Sequence, residues 1–114
     1  MNRHTALRLA LVAILLTTAY TLALWQPVRV LYGHGDKIAH GVAFTAVYAA
    51  LAWALHGWRV WTLALLAAVL GAVSEIHQYF MPGFTPSILD WLADLSGIAL
   101  AAFSYVAIKN IFNF

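Results

Sequence analysis

Seven residues that could do chemistry fall in three short stretches of the sequence. They are Asp36, Lys37, His40, Glu75, Gln78, Asp90 and Asp94. The four acids in this set are all of the Asp and Glu residues in the chain. Carboxylates beside a histidine can exchange protons, accept hydrogen bonds from a ligand, or hold a divalent cation. These residues can act together only if the fold brings the three stretches to one place.

The composition indicates a membrane protein. Of the 114 residues, 64% are hydrophobic and 9% are charged, whereas soluble domains average about 45 to 50% apolar and about 25% charged. A net charge of +2 without a basic cluster argues against nucleic acid as a partner. The absence of cysteine excludes disulfides and thiolate ligands.

Four apolar runs predict four transmembrane helices, since each run has about the 20 residues that cross a bilayer. The runs are residues 6–25, 38–56, 60–80 and 88–108. Pro27, Gly57 and the Pro82-Gly83 pair separate them, and Ser87 has the capping position before the last run. The first run is longer than the apolar part of a signal peptide, so we expect a retained helix. We therefore predict one all-α domain over residues 1–114, a polytopic membrane protein built as a four-transmembrane-helix bundle.

The basic residues near the ends of these runs predict the orientation, because Lys and Arg resist translocation. One side of the bundle has Arg3, Arg8, Arg59 and Lys109, and the other has Arg29 and Lys37. We therefore expect both termini in the cytoplasm and the polar residues in the outer half of the membrane.

Helical spacing places the polar residues of each stretch on one face, because positions three or four apart are neighbours. The pairs with this spacing are Asp36 with His40, Glu75 with Gln78, and Asp90 with Asp94. The last pair aligns with Gly97 and other small residues, which permit close helix approach and predict that these acids face inward. His77 lies about 200° around the helix from Glu75. It is therefore expected to face a neighbouring helix or the lipid, or else the helix unwinds before Pro82.

Ionisable side chains within a membrane span are costly and usually mark a functional site. Interhelical hydrogen bonds in membranes contribute only about 0.6 kcal/mol on average. We therefore expect a functional cluster, the alternative being a set of ion pairs that only holds the bundle together.

The ordered segments 36–40, 74–83 and 90–97 resemble the VanZ-like family of small bacterial membrane proteins, and the resemblance covers about two-thirds of the chain. It implies a multi-pass protein of the bacterial inner membrane, with a role like that of a family protein associated with resistance to the glycopeptide antibiotic teicoplanin. The family's polar positions correspond to Asp36, Lys37, His40, Glu75, Gln78 and Asp90. Two positions depart from the family pattern: Phe84 replaces the usual arginine, and Asp94 replaces a frequent asparagine. Both changes weaken the case for anion binding.

The function that best fits these features is binding or handling of a lipid-linked envelope precursor or a glycopeptide, alongside contact with membrane lipids. All seven polar residues would bind this ligand. Lys37 would attract an anionic group, and the acids would exchange hydrogen bonds with sugar or peptide groups.

Three other functions stay open. One is a proton-linked transporter, in which the buried acids would relay protons and four spans would require oligomers to form a pathway. A membrane-embedded hydrolase or transferase acting on an envelope lipid would use Glu75, Asp90 or His40 in catalysis. It could depend on a divalent cation, with magnesium or calcium favoured by the acids and zinc admitted by His40. A small accessory subunit would dock helix to helix on a larger partner, and oligomers are compatible with either arrangement. The sequence does not specify the cofactor.

Overall fold

The computed structural model describes residues 1–24, 34–81 and 87–112, with side chains given for all of these except 23–24 and 34–36. Four α-helices and no strand occur within these ranges. The helices are α1 (Arg3–Leu24), α2 (His34–Ala54), α3 (Val60–Tyr79) and α4 (Ile88–Phe112). All four are long and apolar enough to cross a membrane. The predicted all-α architecture with four transmembrane helices is confirmed.

The helix ends differ from the predicted ones by up to four residues. The first helix begins at Arg3 because Oδ1 of Asn2 accepts a hydrogen bond of 2.8 Å from the Thr5 amide and caps the first turn. The second begins at His34 and ends at Ala54, just before a turn in which Gly57 has a φ of 89°. The fourth continues to residue 112, because no proline or glycine follows residue 108 to stop it. Residue 25, the predicted end of the first helix, lies outside the described residues.

The closest helix contact in the bundle joins α2 and α4. A methyl group at Gly97 would collide with the backbone carbonyl of Gly41, so the two backbones touch at these glycines. The hydroxyl of Thr45 donates to the carbonyl oxygens of Gly41 at 2.9 Å and Gly97 at 3.1 Å, which bridges the helices. The small residues of α4 thus perform the packing role that the sequence predicts.

The bundle divides into an apolar half and a polar half. The apolar core lies toward the α2–α3 turn and consists of Tyr48, Leu51, Ala52, Leu55, Leu63, Ala67, Ile98 and Ala101. The start of α2, the end of α3 and the start of α4 form the opposite end. This antiparallel arrangement brings the three polar stretches together. The longest dimension of 45 Å matches the roughly 40–45 Å of a bilayer with its headgroups.

Helix α1 is the most peripheral element and packs mainly on α2. Only 6% of its apolar segment is buried in the protein, against 17 to 22% for the other three helices. Large apolar side chains such as Leu7, Ile14 and Leu22 are more than half exposed. In a membrane these side chains contact lipid, where an apolar surface needs no protein cover.

Candidate functional site

The start of α4 fixes the position of the two buried acids. The Ser87 hydroxyl accepts a hydrogen bond of 3.1 Å from the Asp90 amide, which caps the helix as the sequence predicts. From this start the helix directs Asp90, which is 6% exposed, and Asp94, which is fully buried, into the bundle. The predicted inward face of α4 is confirmed for both acids.

Lys37 and Asp90 form an ion pair between α2 and α4. The Lys37 ammonium donates a hydrogen bond to Oδ1 of Asp90. The lysine side chain is 37% exposed and the aspartate side chain 9%, so the pair lies at the rim of the polar half with the carboxylate on the inner side. Charge neutralisation of this kind lowers the cost of burying an acid.

One turn deeper, His40 meets Asp94. The His40 Nδ1 and the Asp94 Oδ1 are 2.8 Å apart, within hydrogen-bond distance. Gly71 of α3 packs against Asp94 and Phe44. A methyl group at Gly71 would lie 3.2 Å from Oδ2 of Asp94 and 3.4 Å from the Phe44 ring. Such a methyl group would press on the acid and the ring, so glycine favours this close approach of α3.

Glu75 of α3 completes what we call the inner cluster, consisting of His40, Glu75 and Asp94. Potential ligand atoms of the three side chains lie within 4.8 Å of one another. Both carboxylate oxygens of Glu75 are buried and make no hydrogen bond to any described residue. The Ser87 backbone amide is near enough to interact electrostatically with this carboxylate but not to form a hydrogen bond. A buried carboxylate without a hydrogen bond requires a proton, a cation or a ligand.

The remaining polar residues of α3 face α1. The Tyr20 hydroxyl lies 2.8 Å from Nδ1 of His77 and donates to the Ser74 carbonyl at 3.3 Å. The Gln78 amide interacts with the same hydroxyl, so this residue flanks the inner cluster. Of the alternatives for His77, the structure shows a contact with the neighbouring helix α1 from a residue that is helical and exposed.

Two residues singled out by the sequence have side chains outside the described part of the structure. The backbone of Asp36 belongs to the first turn of α2, but its side chain is outside the described part of the structure. Phe84, which stands at the position of the family's arginine, also falls outside the described residues.

A cleft of about 470 Å³ lies between α3 and α4 beside the inner cluster. Its lining residues are Ala72, Glu75, Ile76, Tyr79, Phe80, Ser87, Ile88 and Trp91. Most of this wall is apolar, and Ile76, Tyr79, Phe80 and Ile88 are each more than 60% exposed on the outside of the bundle. The cleft therefore opens toward the membrane, with Glu75 and Ser87 as its polar members.

Trp91 is a site residue that the sequence reasoning missed. Its indole N–H donates a hydrogen bond of 3.1 Å to the Ala68 carbonyl, which fixes the ring between α3 and α4. The ring also packs close to Gly71, where a methyl group would lie 3.3 Å from the indole, and it lines the cleft. The available signal was its position next to Asp90 in the first turn of the last span, where a buried indole N–H needs a partner.

Comparison with known proteins agrees with this architecture. A family model described as VanZ/LLP1 matches residues 2–111. No curated protein and no solved structure matches the chain. With almost the whole length matched and four helices able to cross a bilayer, the chain is a multi-pass membrane protein that belongs to the VanZ/LLP1 family.

Proposed function

We propose that this protein binds a lipid-linked envelope precursor, with the polar headgroup at the inner cluster and part of the apolar chain in the cleft between α3 and α4. The site would lie in the outer half of the bacterial inner membrane. One observation carries the proposal: Glu75 belongs both to the inner cluster and to the wall of the apolar cleft. An amphiphile has the same arrangement of a polar group joined to an apolar chain.

The cleft supports a lipid ligand by its size and surroundings. Ligand pockets commonly measure about 300 to 1,000 Å³ and combine an apolar wall with a few polar groups, and this cleft of about 470 Å³ falls within that range. Its exposed wall residues face the side of the bundle that contacts lipid. A lipid-linked precursor can enter from the bilayer, so we favour it over a water-soluble glycopeptide.

The charges favour a headgroup that donates hydrogen bonds. Asp90 is engaged by Lys37, whereas the inner cluster presents the carboxylates of Glu75 and Asp94 beside His40. Carboxylates accept hydrogen bonds from hydroxyl, amide and ammonium groups and repel phosphate. The sugar or peptide part of the headgroup would therefore lie at the inner cluster. A phosphate would lie nearer the rim, where Lys37 is partly exposed.

The experiment compares two tryptophan substitutions on the outer surface of α3. Ile76 lines the cleft and is 61% exposed, whereas Val73 is 56% exposed and does not line it. The protein is purified from bacterial membranes, and bound lipid is measured by native mass spectrometry. We expect Ile76→Trp to fill the cleft and lose the lipid that wild type and Val73→Trp retain.

Glu75→Gln tests the headgroup contact in the same experiment. Loss of a charged hydrogen-bond partner costs about 1.5 to 3 kcal/mol, which corresponds to a fall in affinity of roughly tenfold or more and should lower the amount of retained lipid. Equal lipid retention by wild type, Ile76→Trp and Glu75→Gln would refute the proposal, as would an empty wild-type protein.

A further inference from the structure

We infer that His40, Glu75 and Asp94 form a binding site for one divalent first-row transition-metal ion of the zinc or manganese type. The inference does not depend on the proposed lipid ligand. It rests on the geometry, burial and charge of three side chains contributed by α2, α3 and α4.

The distances among the three side chains are close to the distances among the ligands of a bound metal ion. Nitrogen and oxygen ligands lie about 2.0 to 2.2 Å from zinc, so two ligands of one tetrahedral ion are about 3.3 to 3.6 Å apart. The three side chains already present ligand atoms within 4.8 Å of one another. Side-chain movements of up to about 1 Å would place all three around one ion.

Burial gives an independent reason to expect a cation. Both oxygens of Glu75 are shielded from solvent and lack a hydrogen bond to the described residues, and the adjacent Asp94 is fully buried. When both carboxylates are ionised and the imidazole is neutral, the cluster carries a charge of −2, which a divalent ion balances. The nearby Lys37 ammonium bonds to Asp90, at the rim and outside this cluster. A metal ion would satisfy the Glu75 carboxylate and remove the repulsion between the two acids.

The donor types narrow the choice of ion. An imidazole nitrogen suits zinc, iron and other transition metals better than magnesium or calcium, which prefer oxygen ligands throughout. Three protein ligands leave at least one coordination position for water or for a ligand group, because zinc takes four or more ligands. The Glu75 side chain also lines the cleft, so such a position would be accessible from the cleft.

Direct metal titration of the full-length chain in detergent tests the inference. The protein is prepared without a polyhistidine tag, stripped with a chelator and titrated with Co²⁺, whose visible absorbance reports ligand geometry. Zn²⁺ and Mn²⁺ then compete for the site. We expect one equivalent to bind, and we expect Glu75→Gln and His40→Gln each to weaken binding at least about tenfold.

Two variants serve as matched controls. His56→Gln removes an exposed histidine at the opposite end of the bundle, and His77→Gln removes an exposed histidine that contacts Tyr20. Both should bind Co²⁺ within about threefold of wild type. Because a metal that binds only the folded state raises the melting temperature, Zn²⁺ should stabilise wild type and both controls but neither cluster variant.

Wild type that binds no Co²⁺, Zn²⁺ or Mn²⁺ would overturn the inference. So would unchanged binding in Glu75→Gln and His40→Gln, or loss of binding in His77→Gln alone, since that pattern indicates a surface histidine. The melting curves show whether each variant is folded, and the two cluster variants provide separate tests at two helices.

Discussion

At the residue scale, the two aspartates of α4 have different partners although they are four positions apart. Asp90 meets a lysine at the rim, while Asp94 meets a histidine in the interior. The positive charge of the Lys37 ammonium balances the negative charge of the Asp90 carboxylate. The deeper acid lies next to a second acid, Glu75, and therefore depends on a proton or cation nearby.

The Lys37–Asp90 pair predicts a loss of stability when one partner is removed. Lys37→Met leaves a buried carboxylate without its ammonium, which costs about 3 to 5 kcal/mol for a fully buried pair. Since the lysine is about one-third exposed, we expect about 1 to 2 kcal/mol from denaturant unfolding in detergent micelles.

A double-mutant cycle with Asp90→Asn separates the pair from other effects of Lys37. The lysine substitution should cost less in the Asp90→Asn background, because no buried charge is left behind. An equal cost in both backgrounds would show that the ion pair contributes nothing to stability.

At the element scale, the α2–α4 contact depends on Gly97 more than on Gly41. A methyl group at Gly97 would collide with the Gly41 backbone, whereas a methyl group at Gly41 would meet nothing nearer than the Ala93 carbonyl at 3.7 Å. Gly97→Ala should therefore force the helices apart and lower the unfolding free energy by about 1 to 3 kcal/mol or more.

Gly41→Ala is the control, and it should be neutral or slightly stabilising, because alanine favours a helix over glycine by about 0.5 to 1 kcal/mol. Melting temperatures of the two variants give the comparison. Equal destabilisation by both substitutions would contradict the asymmetric contact.

The sequence was sufficient to predict the four helices and the inward face of α4, because both follow from apolar run length and helical spacing. It predicted the starts of α3 and α4 but not the start of α1, since the cap from Asn2 is a local feature that hydropathy does not report. It also did not show that the face carrying Glu75 and Gln78 meets Tyr20 of α1, since both residues act electrostatically on the Tyr20 hydroxyl. Spacing fixes which residues share a face, but the rotation of α3 depends on its packing against three other helices.

At the scale of the whole molecule, four spanning helices place both termini on the same side of the membrane. The apolar and polar halves of the bundle lie toward opposite sides of the membrane. The inner cluster lies near the side opposite the termini. Its distance from either aqueous side determines which molecules can reach it.

The distribution of basic residues predicts that the termini face the cytoplasm and the inner cluster faces outward. The chain contains no cysteine, so single-cysteine labelling can test this without a background. His4 and His56 are exposed near one end of the bundle, and Phe80 is exposed near the other. A membrane-impermeant maleimide added to intact spheroplasts should label Phe80→Cys. It should label His4→Cys and His56→Cys only after the membrane is disrupted, and the reverse pattern would place the inner cluster on the cytoplasmic side.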